Sequence, residues 1–196
     1  FEIAGYGYDG FWKSPMGFDP SSGRATFPPL AVLGFSVRGP LGPGIGNVES
    51  GYYDSKDDRD GSDPFVANGE ARLLIGYDLE LARELTGGFQ YYLEHMLDHD
   101  AYLASLPGGE PRDENRHVLT ARLTKLLRSQ TVVASFFVYW SPSDRDGYLR
   151  PKLTWSANDF WTLEAGANLF FGRESYTFFG QFEDASNVYG AVRFTF

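Results

Sequence analysis

Two groupings of side chains in this sequence have the residue types to do chemistry. The first is His95, Asp98, His99 and Asp100. A His beside a carboxylate can act as a general base, with the carboxylate fixing its tautomer. That makes His99, Asp98 and Asp100 weak catalytic candidates. No nucleophilic Ser stands in a recognisable setting, and sequence places no second half of a dyad opposite them. The same residues, or the acidic loop 54–63, could bind a divalent cation through oxygen ligands. That loop lacks the regular spacing and terminal Glu of an EF-hand. No metal site and no cofactor is expected. Gly5, Gly7 and Gly10 resemble a phosphate-binding glycine loop only superficially, because no helix follows and Tyr6 and Tyr8 interleave.

The second grouping is larger. Arg72, Asp78, Glu80, Glu94, Arg122, Arg150, Lys152, Glu164 and Arg193 each stand at alternate positions of apolar stretches. Such placement gives a surface with a charged side and an apolar side. The charged side suits a hydrated lumen, where it would set up a field acting on water and polar solutes. Arg122, Arg150, Lys152 and Arg193 come late in the chain. Arg72, Asp78, Glu80, Glu94 and Asp98 come early. One basic wall and one acidic wall are therefore expected.

The elements that carry these residues follow from periodicity. Ten stretches of about ten residues alternate with period two, over 2–12, 29–39, 45–54, 70–82, 88–98, 117–127, 131–140, 148–157, 160–171 and 187–196. In 160–171, for example, Trp161, Leu163, Ala165, Ala167, Leu169 and Phe171 alternate with Thr162, Glu164, Gly166 and Asn168. The connections run long, short, long, short. The long ones are roughly 13–28, 55–69, 99–116, 141–147 and 172–186. Long loops at one end of a sheet and tight turns at the other are the pattern of a transmembrane β-barrel in the bacterial outer membrane. Strands of about ten residues match a tilted crossing of the apolar layer. A closed sheet satisfies every backbone amide within it. Pro151 is the one proline inside a strand, where it costs a ladder bond unless it sits at a bulge.

Composition agrees. The chain has 196 residues, 42% hydrophobic and 22% charged, enough for one domain and not comfortably for two. Aromatic residues make up 17%, with 23 Gly and only 2 Met, which favours strands and tight turns. A net charge of -9 argues against a nucleic-acid binder, which needs a basic face. With no Cys there are no disulfides, thiolate metal sites or cysteine nucleophiles. No apolar run is long enough for a membrane-spanning helix. Trp12, Tyr53 and Trp140 fall at the long-loop ends of their strands, and Trp155, Trp161, Phe194 and Phe196 at the short-turn ends. Two such rows are expected to form the interfacial girdles of a barrel. Leu79–Leu97 and Val118–Leu127 also fit amphipathic helices, and a soluble α+β domain is the alternative fold.

The final residues Tyr189-Gly190-Ala191-Val192-Arg193-Phe194-Thr195-Phe196 resemble the terminal strand of outer-membrane barrels. That resemblance implies recognition by the barrel-assembly machinery. A narrower resemblance covers residues 90–196, through Gln90-Tyr91-Tyr92-Leu93-Glu94-His95-Met96, Arg112-Asp113-Glu114-Asn115-Arg116-His117, Tyr148-Leu149-Arg150-Pro151-Lys152 and Thr177-Phe178-Phe179-Gly180-Gln181-Phe182-Glu183-Asp184. These segments look like the C-terminal half of porin-like proteins near the alginate-export-like and DUF1302-type barrels of Gram-negative bacteria. It implies a fold and a location, and no ligand. Proteins of that group are about twice as long. Because the chain starts at Phe1 without Met, it is expected to be processed, truncated or a fragment.

The expectation is an all-β fold: an antiparallel up-and-down transmembrane barrel of about ten strands, or the C-terminal portion of a larger one. The expected role is porin-like passage of small polar or charged solutes. The alternatives are a structural or docking barrel, closed by its own side chains or holding a partner protein, and a rim-located hydrolase. The expected surroundings are outer-membrane lipid and lipopolysaccharide and, in an oligomer, further copies of the chain.

Overall fold

The structure, a computed structural model, describes residues 1–196. The chain is all-β. Ten strands form one antiparallel sheet in chain order: β1 (Glu2–Phe11), β4 (Pro29–Leu41), β5 (Gly44–Ser55), β6 (Glu70–Ala82), β7 (Leu85–Met96), β8 (Asn115–Leu127), β9 (Val132–Ser141), β10 (Asp146–Ser156), β11 (Trp161–Gly172) and β12 (Asn187–Phe194). A small hairpin of β2 (Gly17–Asp19) and β3 (Arg24–Thr26) lies between β1 and β4. The sheet is open, with β1 and β12 at its two edges. Closure into a barrel is thus absent from this structure. The segments that also fit helices, 79–97 and 118–127, are strands. Their hydrophobic residues suit both periods, and cross-strand pairing selects period two.

Contacts group the residues into two units. One comprises Phe1–Gly39, Asn47–Ile75 and Tyr92–Arg116, and the other Pro40–Gly46, Gly76–Tyr91 and His117–Phe196. The first holds three long connections. Its hairpin is tied to the next connection, where Phe18 N–H donates to Phe65 O (2.8 Å) and Ala67 N–H to Met16 O (2.9 Å). The third connection contains a short helix, α1 (His99–Ser105). The second unit holds the tight turns β4–β5, β6–β7, β8–β9 and β10–β11. The β4–β5 turn uses Gly42 at φ 56°, while the β8–β9 turn places Arg128, Ser129 and Gln130 at positive φ without a glycine. At the β10–β11 turn the Asn158 side chain accepts the Phe160 and Trp161 amides (3.0 and 2.9 Å), a side-chain turn that starts β11.

Strict alternation of loop length fails at one point. The connection between β9 and β10 is only residues 142–145, as short as the β8–β9 and β10–β11 turns. Asp146 and Ser141 pair directly across it, which extends both strands. Pro151 sits at no bulge. The β10–β11 register runs from Leu149↔Leu169 to Lys152↔Gly166 with constant offset, and only the Arg150 and Pro151 pairings are missing. The proline removes a donor without shifting the strand.

Register fixes which side chains share a face. Across β8, β9, β10 and β11 one row reads Leu123, Phe136 and Pro151, and a neighbouring row Ala134, Leu153 and Ala165. The opposite face holds Arg122, Phe137 and Arg150 in one row and Thr124, Ser135, Lys152 and Gly166 in the next. On the first face Phe136, Leu153, Trp155, Trp161, Leu169, Val188, Val192 and Phe194 are exposed. The buried large apolar residues of the whole chain are only Trp12, Leu30, Met96 and Val118. The hydrophobic effect therefore assembles no conventional interior. The apolar side chains face outward from the sheet.

Candidate functional site

The charged face is the part of the molecule with chemical character. In the first unit it centres on Arg72 of β6. Its Nη2 lies 2.6 Å from Glu70 Oε2 and 3.7 Å from Glu94 Oε1. Arg116 Nη1 reaches the other oxygen of Glu94 at 2.9 Å, and Arg112 approaches Glu70 at 3.4 Å. Tyr92 donates to Glu94 Oε1 (3.0 Å). The Arg72 guanidinium also lies over the Tyr53 ring (4.2 Å) and near that of Trp12, which stacks on Tyr53 at 5.9 Å. These groups are mostly covered, so the charges hold one another rather than water. Tyr6, Ser36, Glu49, Tyr53, Arg72 and Tyr92 border a recess of about 270 Å³.

In the second unit Arg122, Phe137 and Arg150 lie side by side on β8, β9 and β10. Lys152 occupies the next row. Arg122 faces Asp78 at 3.6 Å, and Lys152 faces Glu164 at 2.8 Å. Arg150 has no carboxylate within ion-pair distance. The three cations, with Ser135, Phe137 and Tyr148, border a recess of about 390 Å³.

The connection 173–186 covers part of this face. Asp146, fully buried at the start of β10, accepts the Phe179 amide through Oδ2 (2.6 Å). Phe179 then packs on Tyr148 (5.5 Å, planes at 22°), Phe170 (6.0 Å) and Tyr139 (4.7 Å, edge-on). A Cβ on Gly172 would collide with the Gly180 backbone, and one on Gly180 with the Glu174 carbonyl and the Thr177 hydroxyl. Close approach of the loop thus requires glycine at both positions. On β11, Gly166 leaves room for the Tyr189 ring of β12 to lie across it. That is an aromatic ring filling the gap left by a strand glycine.

The expected lumen residues share this face, but in a different pattern. Arg193 is level with Thr162, and Glu80 accepts the Glu84 amide at the β6–β7 turn (3.2 Å). Separate acidic and basic walls are not formed. Glu94 pairs with Arg72 and Arg116 on the strands either side of it, and Asp78 reaches Arg122 two strands away across Gly88 of β7, so register and a strand glycine bring opposite charges within reach. Sequence reasoning missed Glu70, Arg112 and Arg116. It also missed the ring cluster of Phe137, Tyr139, Tyr148 and Phe170. Parity alone would have placed all four rings on the charged face.

The aromatic rows divide. Trp140, Trp155, Trp161 and Phe194 are exposed on the apolar face, and Phe196 is exposed beyond β12. Trp12 and Tyr53 are not on that face. Trp12 is buried (6% exposed) and both rings lie under Arg72. The cation draws them to the charged side.

At the rim, His99 opens α1 and its Nε2 donates to Arg112 O (2.9 Å), while His95 Nδ1 lies 3.0 Å from Asn115 Oδ1. Asp98 caps the helix in a left-handed conformation (φ 54°), its carbonyl accepting the Tyr102 amide. Asp100 follows in the first turn. Neither His is hydrogen-bonded to Asp98 or Asp100, and no three His, Asp or Glu side chains converge as metal ligands. In the acidic loop Asp58 is buried and its Oδ1 accepts the Ser62 and Asp63 amides (2.9 and 3.1 Å). Burial pushes the Asp58 carboxyl up, partly opposed by those amides, whereas Ser62 holds Asp60 down. In the hairpin, hydrogen bonds from Ser22 and Ser21 bring Asp19 down to about 2.

Comparison with family models, with curated proteins and with solved structures finds no match. The site therefore stands on its own chemistry.

Proposed function

We propose that this chain is a transmembrane β-barrel protein of the bacterial outer membrane that lets small polar or charged solutes pass through a hydrated lumen. The observation carrying this reading is the division of one sheet into two faces. Large apolar side chains stay exposed on one, charged side chains gather on the other, and only four large apolar residues are buried. A soluble protein exposing so much contiguous apolar surface would aggregate or bind a partner. Lipid supplies the missing neighbour. The open edges of β1 and β12 would close in the membrane, on each other or through further strands, since unpaired amides are not tolerated in hydrocarbon. The last strand, with Phe194 exposed in it and Phe196 exposed just beyond it, would be the one engaged by the assembly machinery.

Selectivity would come from the charged face. The test is the double variant Arg150→Gln/Lys152→Gln in a planar bilayer under a salt gradient. Removing two cations from one recess shifts the reversal potential toward cation selectivity. An unchanged reversal potential refutes the assignment.

A structural barrel closed by its own side chains is the second reading. Packing of Phe179 onto Tyr148 and Phe170, together with the Arg72–Glu94–Arg116 cluster, supports it. Folded protein that inserts into lipid and never conducts would favour that reading. A rim hydrolase has no comparable support.

A further inference from the structure

We infer that the recess bordered by Arg122, Arg150, Lys152, Phe137 and Tyr148 is a binding subsite for an arenecarboxylate, a planar aromatic ring bearing one carboxylate. The inference rests on the reading of this face as water-exposed. It deepens that reading by naming a class of solute.

Charge sets the first condition. Three cations border the recess, and two of them already face a carboxylate: Arg122 faces Asp78 at 3.6 Å and Lys152 faces Glu164 at 2.8 Å. Arg150 has none, so the recess accommodates one further negative charge. A guanidinium offers a planar fork of donors, which a carboxylate matches with two parallel hydrogen bonds. A halide takes the charge but not the fork.

Shape and polarity set the second. The recess holds about 390 Å³, at the low end of the roughly 300–1,000 Å³ of small-molecule sites. Phe137 stands level with Arg150 on the next strand. Its ring lies 6.3 Å from that of Tyr148 with the planes at 59°, so neither ring covers the other. Phe170 and Phe179 brace Tyr148 by stacking, and its hydroxyl donates to Asn168 (2.5 Å). Tyr148, the neighbour of Phe137, is therefore held in place before any ligand arrives. The Phe137 ring, on which no other ring stacks, beside an unpaired fork suits an aryl ring attached to a carboxylate. A polyhydroxylated acid finds little here, because the Ser135 hydroxyl is the one neutral aliphatic donor at the border.

The experiment is calorimetric titration of the folded 196-residue chain in detergent with sodium benzoate, sodium acetate and sodium gluconate. It is paired with single-channel recording of the same preparation with and without benzoate. Benzoate is expected to bind at least tenfold more tightly than acetate or gluconate. Arg150→Gln is expected to lose at least tenfold of that affinity, and Arg150→Lys to fall between, since it keeps the charge and loses the fork. Phe137→Leu, which leaves every charge in place, is expected to shrink the preference for benzoate over acetate. Equal affinities for the three anions, or full benzoate affinity in both Arg150→Lys and Phe137→Leu, overturn the subsite. Selective benzoate binding without any conductance supports the subsite and removes the pore. Steady conductance that benzoate never interrupts, with no selective binding, removes the subsite and leaves the pore.

Discussion

Replacing Ala165 by Arg tests the reasoning most directly. Ala165 is exposed on the apolar face of β11, level with Leu153 on one side and Gly190 on the other. It lies four residues from Trp161, the aromatic residue that begins the strand. At about 3.3 Å per residue and a tilt of about 45°, that is about 9 Å into the apolar layer. The lipid-facing band of such a protein is about 25 Å tall, so the new guanidinium falls about 3–4 Å short of the midplane. Arg there costs about 2–3 kcal/mol, toward the lower part of the range measured at the centre. The folding equilibrium constant then falls by a factor of roughly 30–150. In water, the same substitution at an exposed strand position changes stability by no more than about 0.5 kcal/mol. The control is Ala191→Arg on the opposite face, where the new cation stands beside Glu164 and the cost stays within about 0.5 kcal/mol. Urea titration of refolding into lipid vesicles, followed by tryptophan fluorescence, measures both. Equal stabilities for the two variants would refute the assignment of faces.

Two further outcomes follow from the connections. Phe179→Ala removes ring contacts to Tyr139, Tyr148 and Phe170 and leaves the amide bond to Asp146, so the 173–186 connection loses about 1–3 kcal/mol of local stability, less than for a fully buried ring. Limited proteolysis within 173–186 should quicken, and unchanged cleavage would count against the docked loop. Asp58 gives a pH dependence. Its folded-state pKa is raised by burial, so its contribution to stability is fully present below the unfolded value of about 3.9 and is lost as pH rises through the folded value. Asp60, whose pKa is lowered, contributes above its unfolded value and loses that contribution only in stronger acid. Above the unfolded value of about 3.9 the two groups therefore differ, and the loss of stability with rising pH in this loop is that of Asp58. Asp58→Asn keeps an oxygen for the Ser62 and Asp63 amides and removes the ionisation. Protection of those amides against hydrogen exchange, corrected for intrinsic rates, should weaken as pH rises in the parent and stay level in the variant. Parallel profiles would refute it.

Strands were legible because period two is written locally. Each observed strand end lies within three residues of its expected position, even at β7, expected from residue 88 and observed from Leu85. What depended on distant partners was not legible. Arg72 is a charge at an alternate position in the sequence, but its neighbours Glu94, Tyr53 and Trp12 come from three other segments. Without register, charges could only be grouped by their order along the chain, which produced two walls where the sheet makes cross-strand pairs. Trp12 and Tyr53 failed as girdle residues for the same reason. Their position near a strand end was readable, and the cation beneath which they stack was not. Helix α1 lies inside a connection treated as loop, where seven residues carry too little periodicity to show.

The distribution of charge within the strands carries the membrane argument further than hydrophobicity does. The ten strands hold eighteen charged side chains. Following parity along each strand, fifteen lie on the face of Arg72, Arg122 and Arg150. The apolar face carries Asp9, Asp54 and Lys125, and each stands within two residues of a strand end. All three are also occupied: Asp9 by Lys56 (2.6 Å), Asp54 by Arg59 (2.9 Å), and Lys125 by the Arg83 carbonyl (2.7 Å) at the adjacent turn. Lys125 reaches toward the end of its strand as lysines do near an interface. A sheet face in water gains solubility from charge at any position along it, the middle included. A sheet face in hydrocarbon excludes charge from the middle and tolerates it at the margins, where the cost falls toward zero. The apolar face follows the second rule on all ten strands, and that is the strongest support for placing lipid against it.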